Sequence, residues 1–234
     1  SGQLTQDGNS TGVLTLTKNN AYTGQTTITS GTLVVGDGGT NGSIATTSAI
    51  VDNGTLKFNR NDAITLAKEI SGSGQVIQDG NGTGVLTLTK NNTYTGQTTI
   101  TSGTLVVGDG GTNGSIATTS SIVDNGTLKF NRNDNVTVAQ VISGSGQLTQ
   151  DGNGTGVLTL TKNNTYTGQT TITSGTLVVG DGVGNGSIAT TSAIVDNGTL
   201  KFNRNDTISL DKVISGTGNL IQDGNGTGVL TLTK

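Results

Sequence analysis

The chain has 234 residues, a net charge of −3 and 39 glycines, and it contains no proline, cysteine, methionine, tryptophan or histidine. Without histidine or cysteine it has neither a Ser-His or Cys-His nucleophile pair nor the ligands of an ordinary zinc site, and it can form no disulfide. Its 12 basic and 15 acidic residues give no electrostatic footprint for nucleic acid, and no apolar run approaches the roughly 18 residues of a membrane span.

A long internal repeat organises the chain. The hexapeptide Val-Leu-Thr-Leu-Thr-Lys begins at Val13 and recurs at equal intervals, at Val85, Val157 and Val229. Such self-similarity predicts an architecture in which each repeat packs on its neighbours. The repeats are 1–72, 73–144 and 145–216, followed by a partial repeat, 217–234. We expect one continuous domain, 1–234, that belongs to a longer array.

Within each repeat, apolar residues alternate with threonine, lysine or asparagine. In chain order, this alternation predicts strands with one buried face around Leu14–Leu16, Leu56–Phe58 and Ile64–Leu66. Clusters of turn-forming residues, such as Asp7-Gly8-Asn9 and Asp52-Asn53-Gly54, lie between such strands. No segment has the apolar stripe of a helix, and the pattern therefore predicts an all-β protein.

One segment varies between the otherwise similar repeats. Ala63–Glu69 alone could form a short helix, but its counterpart Asn135–Val141 is alternating and rich in β-branched residues. β-Branched residues favour strands, so we predict a strand at this place in all three repeats.

Two architectures could use this pattern. A string of small sandwiches would need every repeat to close its own core, and one phenylalanine and one tyrosine per repeat are few for that. A β-solenoid shares its core between neighbouring turns, so small apolar side chains suffice and the aromatic rings act as core fillers. We therefore predict a parallel β-solenoid, or β-helix, with about three turns of ~24 residues per repeat and roughly ten turns in all.

The run from Gly84 to Gly108 reads Gly-Val-Leu-Thr-Leu-Thr-Lys-Asn-Asn-Thr-Tyr-Thr-Gly-Gln-Thr-Thr-Ile-Thr-Ser-Gly-Thr-Leu-Val-Val-Gly. It resembles the autotransporter-associated β-strand repeat almost throughout, and the preceding segment from Ile70 is similar to that family's lead-in. The resemblance covers about a third of each repeat and occurs in all three, with a truncated fourth copy.

The resemblance implies the passenger region of a type V secreted protein of a Gram-negative bacterium. Such passengers are typically right-handed parallel β-helices that cross an outer-membrane barrel unfolded and fold outside the cell, where they act as adhesins or as stalks. The absence of cysteine agrees with that export route. On this ground we expect an extracellular location at the outer-membrane surface, and a membrane barrel in a C-terminal part of the protein beyond these residues.

Calcium is one candidate ligand. Asp7-Gly8-Asn9 and the next three residues resemble the first half of an EF-hand loop, which binds calcium through oxygen atoms. The twelfth position, which needs a bidentate glutamate, is Lys18, and a cation there would repel the metal. We therefore interpret Asp7 as a turn residue and expect no metal and no other cofactor.

Catalysis and ice binding are two distant alternatives. Four charged residues lie close together in the first repeat: Asp52, Lys57, Arg60 and Asp62. They could serve a polysaccharide-acting β-helix enzyme, but three near-identical active sites are less expected than three copies of a solvated, ion-paired face. Threonine pairs such as Thr15 and Thr17 could order ice-like water. An ice-binding face needs such a pair on every successive turn, however, and here turns with other sequences lie between them. We therefore predict a protein that is not an enzyme.

We predict that the repeats form a rigid stalk and export scaffold of a cell-surface adhesin. The alternative is a directly adhesive face, in which equivalent weak sites act together on a repetitive target. The exposed candidates for such a face are Lys57, Arg60, Asp62, Lys129, Arg132, Asp134, Lys201, Arg204 and Asp206. The expected partner is a host surface, an abiotic surface or a neighbouring cell, and not nucleic acid, while the oligomeric state stays open.

Overall fold

The chain folds into short parallel strands joined by tight turns. A computed structural model describes residues 1–224 and 226–234, and this part of the chain contains 26 strands and no helix. It therefore offers no helix that could cross a membrane. The first repeat contains β1 (Leu4–Asp7), β2 (Val13–Leu16), β3 (Thr26–Ser30), β4 (Thr32–Val35), β5 (Ile50–Asp52), β6 (Thr55–Phe58), β7 (Ala63–Leu66) and β8 (Ile70–Ser71).

The later repeats have the same order of strands. The second repeat contains β9 (Gln75–Asp79), β10 (Val85–Leu88), β11 (Thr98–Ser102), β12 (Thr104–Val107), β13 (Ile122–Asp124), β14 (Thr127–Phe130), β15 (Asn135–Val138) and β16 (Ile142–Ser143). The third contains β17 (Gln147–Asp151), β18 (Val157–Leu160), β19 (Thr170–Ser174), β20 (Thr176–Val179), β21 (Ile194–Asp196), β22 (Thr199–Phe202), β23 (Thr207–Leu210) and β24 (Ile214–Ser215). The partial repeat contains β25 (Asn219–Gln222) and β26 (Val229–Leu232). The variable segment is a strand in all three repeats, as predicted.

The strands form two compact units, each a parallel β-solenoid. The N-terminal unit comprises Ser1–Asp109 and Asn113–Thr127, and the C-terminal unit comprises Gly110–Thr112 and Leu128–Lys234. In the N-terminal unit the strand orders are β1-β3-β5-β8, β2-β4-β6-β9-β11-β13 and β7-β10-β12. In the C-terminal unit they are β14-β17-β19-β21-β24, β15-β18-β20-β22-β25 and β23-β26. The predicted all-β parallel solenoid is confirmed.

The core consists of side chains that stack on their counterparts in the next turn. Leu14, Leu33 and Leu56 lie opposite one another in β2, β4 and β6, and Val76 of β9 continues the column. Leu33 and Leu56 are completely buried, whereas the alternate residue Lys57 is partly exposed. Burying each leucine contributes about 2 kcal/mol, so the alternating pattern fixes which face of every strand points inward.

A repeat is longer than three turns. Three turns lead from Leu14 through Leu33 and Leu56 to Val76, so a turn takes about 21 residues instead of the ~24 expected from the sequence. The remaining residues carry the next repeat to a different sheet. Thus β1 lies in the sheet of β3 and β5, while its counterpart β9 pairs with β6; β17 and β25 also occupy different sheets. Equivalent residues of successive repeats therefore lie on different sides of the solenoid within each unit.

Two of the three tyrosines are part of the core, as expected, whereas Tyr22 is only partly buried. Tyr94 and Tyr166 are completely buried. The hydroxyl of Tyr94 lies 2.6 Å from that of Thr98, which donates to Thr119 at 2.9 Å, and Thr119 donates to the carbonyl oxygen of Gly96 at 2.6 Å. This chain of hydrogen bonds satisfies polar atoms in the interior and ties neighbouring turns together.

A tight turn precedes the second strand of each repeat. In the second repeat, Asn81 and Gly82 occupy its two central positions with φ of 45° and 82°. Thr83 closes this turn by donating to the carbonyl oxygen of Gly80 at 3.1 Å. Positive φ at both central residues defines a type I′ turn, which suits Asn-Gly. In the first repeat the second position is Ser10, with φ of 71°, a conformation that strains a residue with a β-carbon.

We predict that Ser10→Gly stabilises the protein. Glycine adopts positive φ without the steric cost of a β-carbon, so the substitution should raise the free energy of unfolding by about 1 kcal/mol. Urea denaturation should show a higher midpoint at an unchanged slope. The reciprocal variant Gly82→Ser should lose a similar amount, and equal midpoints for all three proteins would contradict the assignment of strain to this turn.

Candidate functional site

Each repeat carries a lysine that is paired with an aspartate of the next turn. Lys57 of β6 lies opposite Ile77 of β9, and its Nζ is 2.6 Å from Oδ2 of Asp79. The side chains of this pair are 31% and 22% exposed. The equivalent pairs are Lys129–Asp151 at 2.6 Å and Lys201–Asp223 at 2.5 Å. These partly exposed pairs fix neighbouring turns in register, and each contributes at most about 1 kcal/mol.

The arginine of the first repeat is buried and anchors a loop. Nε and Nη2 of Arg60 donate to the two carboxylate oxygens of Asp62 at 2.8 and 2.7 Å. The same guanidinium donates to the backbone carbonyl oxygens of Gly42 and Thr40, in the loop between β4 and β5. Arg60 is only 8% exposed, so these bonds replace water for its charged group. The loop is thereby fixed to the turn that follows it.

The same arrangement recurs in the later repeats. Arg132 donates to both carboxylate oxygens of Asp134 and to the carbonyl oxygen of Thr112. Arg204 donates to both carboxylate oxygens of Asp206 and to the carbonyl oxygen of Gly186. These hydrogen bonds hold the pKa of Asp134 and of Asp206 below the usual range, as the bonds from Arg60 do for Asp62.

The structure gives these charged residues partners within the solenoid. Lys57, Arg60 and Asp62 belong to the same stretch of the N-terminal unit, but the cationic groups contact carboxylates and carbonyl oxygens of the chain itself. In the C-terminal unit the two copies do not share a sheet, because Lys129 is in β14 and Lys201 in β22. The lysines and arginines of the repeats thus make contacts between neighbouring turns.

A buried carboxylate also recurs in every repeat. Asp52 of β5 is completely buried; its Oδ1 accepts a hydrogen bond from the amide of Gly54 at 3.0 Å, and its Oδ2 has no hydrogen-bond partner among the described residues. Gly74 of the next turn lies directly over the carboxylate, where a β-carbon would overlap it. Asp124 and Asp196 are buried in the same way, and each accepts from the amide two residues later at 3.0 Å.

Burial away from water raises the pKa of Asp52 to about 6, although hydrogen bonds from the amides of Gly54 and Leu56 oppose the shift. The titratable group that faces this carboxylate is Tyr94, whose pKa is raised mainly by its own burial and further by the charge of Asp52. Period-two alternation along β5 places Asp52 on the inner face of that strand, but an aspartate before Asn-Gly is also typical of a turn. The residue that leaves room for the carboxylate, Gly74, lies one turn later in the chain, so the sequence does not show this contact.

The candidate calcium loop is a turn in the structure. Asp7 ends β1, and its Oδ1 accepts a hydrogen bond from the hydroxyl of Ser30 at 3.1 Å. Among residues 1–224 and 226–234, no three acidic side chains converge as ligands of a metal ion would.

Among the concave features of the N-terminal unit are a small cavity and a larger groove. One is an apolar cavity of about 30 Å³ beside Ile44, Phe58 and Ile64, with room for about one water molecule. The other is an open polar groove of about 580 Å³, lined by Ser48, Ala67, Lys68, Glu69, Lys90, Asn91 and Asn113. Three of its residues, 67–69, belong to the segment that varies between repeats. That variation is visible in the sequence, but only the structure connects it to a surface.

Comparison with known proteins gives the same family in all three repeats. The model of the passenger-associated-transport-repeat family matches residues 4–35, 81–107 and 153–179. The autotransporter adhesin BmaC of Brucella suis biovar 1 (strain 1330) is 44% identical over 73 residues, which are 31% of this chain and 2% of that protein. The chain thus spans a very small part of the length of this curated relative. No solved structure matches it significantly.

The match at 81–107 covers all but the last residue of the run from Gly84 that carries the resemblance, and the predicted resemblance to autotransporter passenger repeats is confirmed. The matched segments and the relative together support an autotransporter passenger region with passenger-associated transport repeats. These similarities imply display outside the cell, at the surface of the outer membrane.

We predict that the buried arginine matters much more for stability than the lysine. Arg60→Ala would leave Asp62 and two loop carbonyl groups without their donor, and should lower the free energy of unfolding by about 3 kcal/mol. Lys57→Ala removes a partly exposed ion pair and should cost less than about 1 kcal/mol. Chemical denaturation of both variants measures the difference, and equal small losses would show that Arg60 is not an anchor.

The buried aspartate predicts a dependence of stability on pH. Since the folded-state pKa of Asp52 is about 6, above the ordinary aspartate value of 3.8, the folded state binds the proton more tightly. Its contribution is therefore fully present below the unfolded-state pKa of 3.8 and is lost as the pH rises through 6, with a change on the order of 2 kcal/mol. Urea denaturation at several pH values should show this loss.

The variant Asp52→Asn should reduce the pH dependence, because the asparagine does not titrate in this range. Asp37→Asn, at an exposed position, is the matched control and should leave the dependence unchanged. A wild-type profile that is flat between about pH 4 and pH 8 would contradict the burial of a titrating carboxylate.

Proposed function

We propose that this passenger segment is a non-enzymatic spacer that holds other parts of the protein away from the cell surface. The observation that carries the proposal is that the recurring charged groups connect one turn to the next. Lys57 pairs with Asp79 of the following turn, and Arg60 holds the loop that precedes its own turn. Repetition of such contacts extends a structure, whereas a binding site needs side chains that are available to a partner.

The contacts of each repeat allow it to be followed by another. Every described strand pairing is parallel and joins strands of adjacent turns. Thus β2 pairs with β4, with Leu14 opposite Leu33, and β3 pairs with β5, with Thr26 opposite Ile50. A longer array therefore needs no new kind of contact. We propose that the repeats form one continuous rod whose length is set by their number.

The same local pairing supports a second role in export. Each new turn can pack as soon as it has emerged from the membrane, because the strands with which it pairs lie in the adjacent turn, which has just folded. Folding outside the membrane, one turn after another, opposes backward sliding of the chain. We propose that the segment thereby helps to drive its own transport.

A directly adhesive surface is the alternative function. The relative from Brucella suis is named an adhesin, and on that ground we propose that the whole protein binds a host surface, an abiotic surface or a neighbouring cell. If this segment itself makes contact, the polar groove at Lys68, Glu69 and Lys90 is the better candidate, because neither of its lysines is in an ion pair with a described residue. The charged set at Lys57 and Arg60 is engaged within the solenoid.

The spacer proposal predicts that whole repeats can be removed. Deletion of residues 73–144 joins Gly72 to Ser145 and restores the local sequence, because Ser-Gly-Ser-Gly occurs at both ends of the deleted repeat. The variant should fold cooperatively and its maximum dimension in small-angle X-ray scattering should shorten by about 16 Å, a little more than three turns of ~4.8 Å.

The matched control deletes half a repeat, residues 73–108, and should fail to fold cooperatively because it breaks the order of strands. Loss of folding after removal of the whole repeat, or an unchanged maximum dimension, would contradict a spacer built from interchangeable repeats.

A further inference from the structure

The chain contains nine Asn-Gly pairs, and the structure places identical pairs in two different environments. We propose that Asn81 and Asn153 deamidate spontaneously in the folded protein, whereas Asn53, Asn125 and Asn197 are protected, although all five stand in the same sequence Asn-Gly-Thr. This inference concerns a covalent modification and does not depend on the spacer function.

The reaction needs a free amide nitrogen after the asparagine. The deprotonated nitrogen of the glycine attacks Cγ of the asparagine, a C–N bond forms, and the Cγ–Nδ2 bond breaks as ammonia leaves with a proton from water. Water then opens the cyclic imide at either carbonyl group and gives aspartate or isoaspartate. Glycine favours the attack because it has no β-carbon to obstruct the nitrogen or restrict φ.

The turn at Asn81 leaves this nitrogen free. Gly82 is exposed at the second central position of the turn, and a β-carbon there would contact nothing within 4 Å. The hydrogen bonds that close the turn come from Thr83 and Gly84, and among the described residues nothing accepts one from the amide of Gly82. Asn81 itself is exposed, so water reaches the site of attack.

The turn at Asn153 has the same geometry. Asn153 and Gly154 have φ of 45° and 84°, and the closing bonds come from Thr155 and Gly156. No described residue accepts a hydrogen bond from the amide of Gly154. Nδ2 of Asn153 donates to the carbonyl oxygen of Gly110 at 3.2 Å, so deamidation there removes one donor and adds one negative charge.

At Asn53 the same dipeptide is held by hydrogen bonds. The amide of Gly54 donates to the buried carboxylate of Asp52 at 3.0 Å, and Oδ1 of Asn53 accepts from the amide of Ser73 at 3.1 Å. Asn53 and Asn81 are both exposed, so access of water does not distinguish the two. What differs is the charge-assisted bond that withholds the attacking nitrogen.

The two later copies of this site are held in the same way. The amide of Gly126 donates to Asp124, and the amide of Gly198 donates to Asp196, each at 3.0 Å. The buried aspartate of each repeat thus occupies the nitrogen that the reaction requires.

The first repeat supplies a natural variant of the reactive turn. Asn9 has φ of 45°, as Asn81 has, but the next residue is Ser10. The serine side chain obstructs the nitrogen that would attack, so Asn9 should react much more slowly than Asn81. Ser10→Gly should therefore create a further reactive site without changing any residue near Asn81.

The test is peptide mapping by mass spectrometry after incubation of the native protein in mildly alkaline buffer at body temperature. Cleavage after lysine and arginine separates the sites, because Asn81 lies in the peptide 69–90 and Asn53 in the peptide 19–57. Fragment spectra of the second peptide distinguish Asn53 from Asn41, and the replacement of an amide group by a carboxylate is read from the mass. We expect deamidation at Asn81 to be at least about tenfold faster than at Asn53, the factor set by the hydrogen bond to Asp52.

Incubation in urea is the control, since unfolding removes the hydrogen bonds and the two Asn-Gly-Thr sequences should then react at similar rates. The native protein would overturn the proposal if Asn53 reacted as fast as Asn81, or if Asn81 stayed intact while the unfolded chain reacted. A folded Ser10→Gly protein in which Asn9 keeps its wild-type rate would overturn it as well.

Discussion

The parallel hydrogen-bond ladder between successive turns is the interaction on which the rest of the structure depends. It places each strand directly beside its partner, so inward side chains must stack on residues of similar size, as Leu33 does on Leu56. It also brings backbone close to backbone at the corners, where Gly36 and Gly42 approach too closely for a β-carbon. The high glycine content and the absence of proline both follow from this ladder, because proline could not donate to it.

The ladder also decides what the charged residues do. A lysine on an outward position meets an aspartate one turn later, and an arginine at a strand end reaches the loop of the preceding turn. Charged groups that the sequence alone suggests as an exposed binding face thus hold neighbouring turns together. The buried aspartate is the exception, since Asp52 gains only part of the hydrogen bonding that a carboxylate can accept. Its position links stability to pH and, through Gly54, restrains the chemistry of Asn53.

Much of the fold could be predicted from the sequence, because period-two alternation and the internal repeat depend on spacing along the chain alone. The length of a turn was harder to predict, because it depends on which strands pair. The three turns from Leu14 to Val76 contain fewer residues than one repeat. The burial of Arg60 was missed because its carbonyl partners, Gly42 and Thr40, belong to a loop of the preceding turn. The groove beside residues 67–69 was missed for the same reason, since separate segments of the chain line it.

The spacer function is tested most directly by measuring whether the segment itself binds surfaces. Beads coated with the folded chain would be applied to host cells, matrix proteins and bare polystyrene, beside beads coated with an inert protein of equal net charge. A spacer predicts no retention above that control on any surface. Saturable retention above the control, abolished in a folded protein carrying Lys68→Ser and Glu69→Ser, would contradict the account and make the groove an adhesive site.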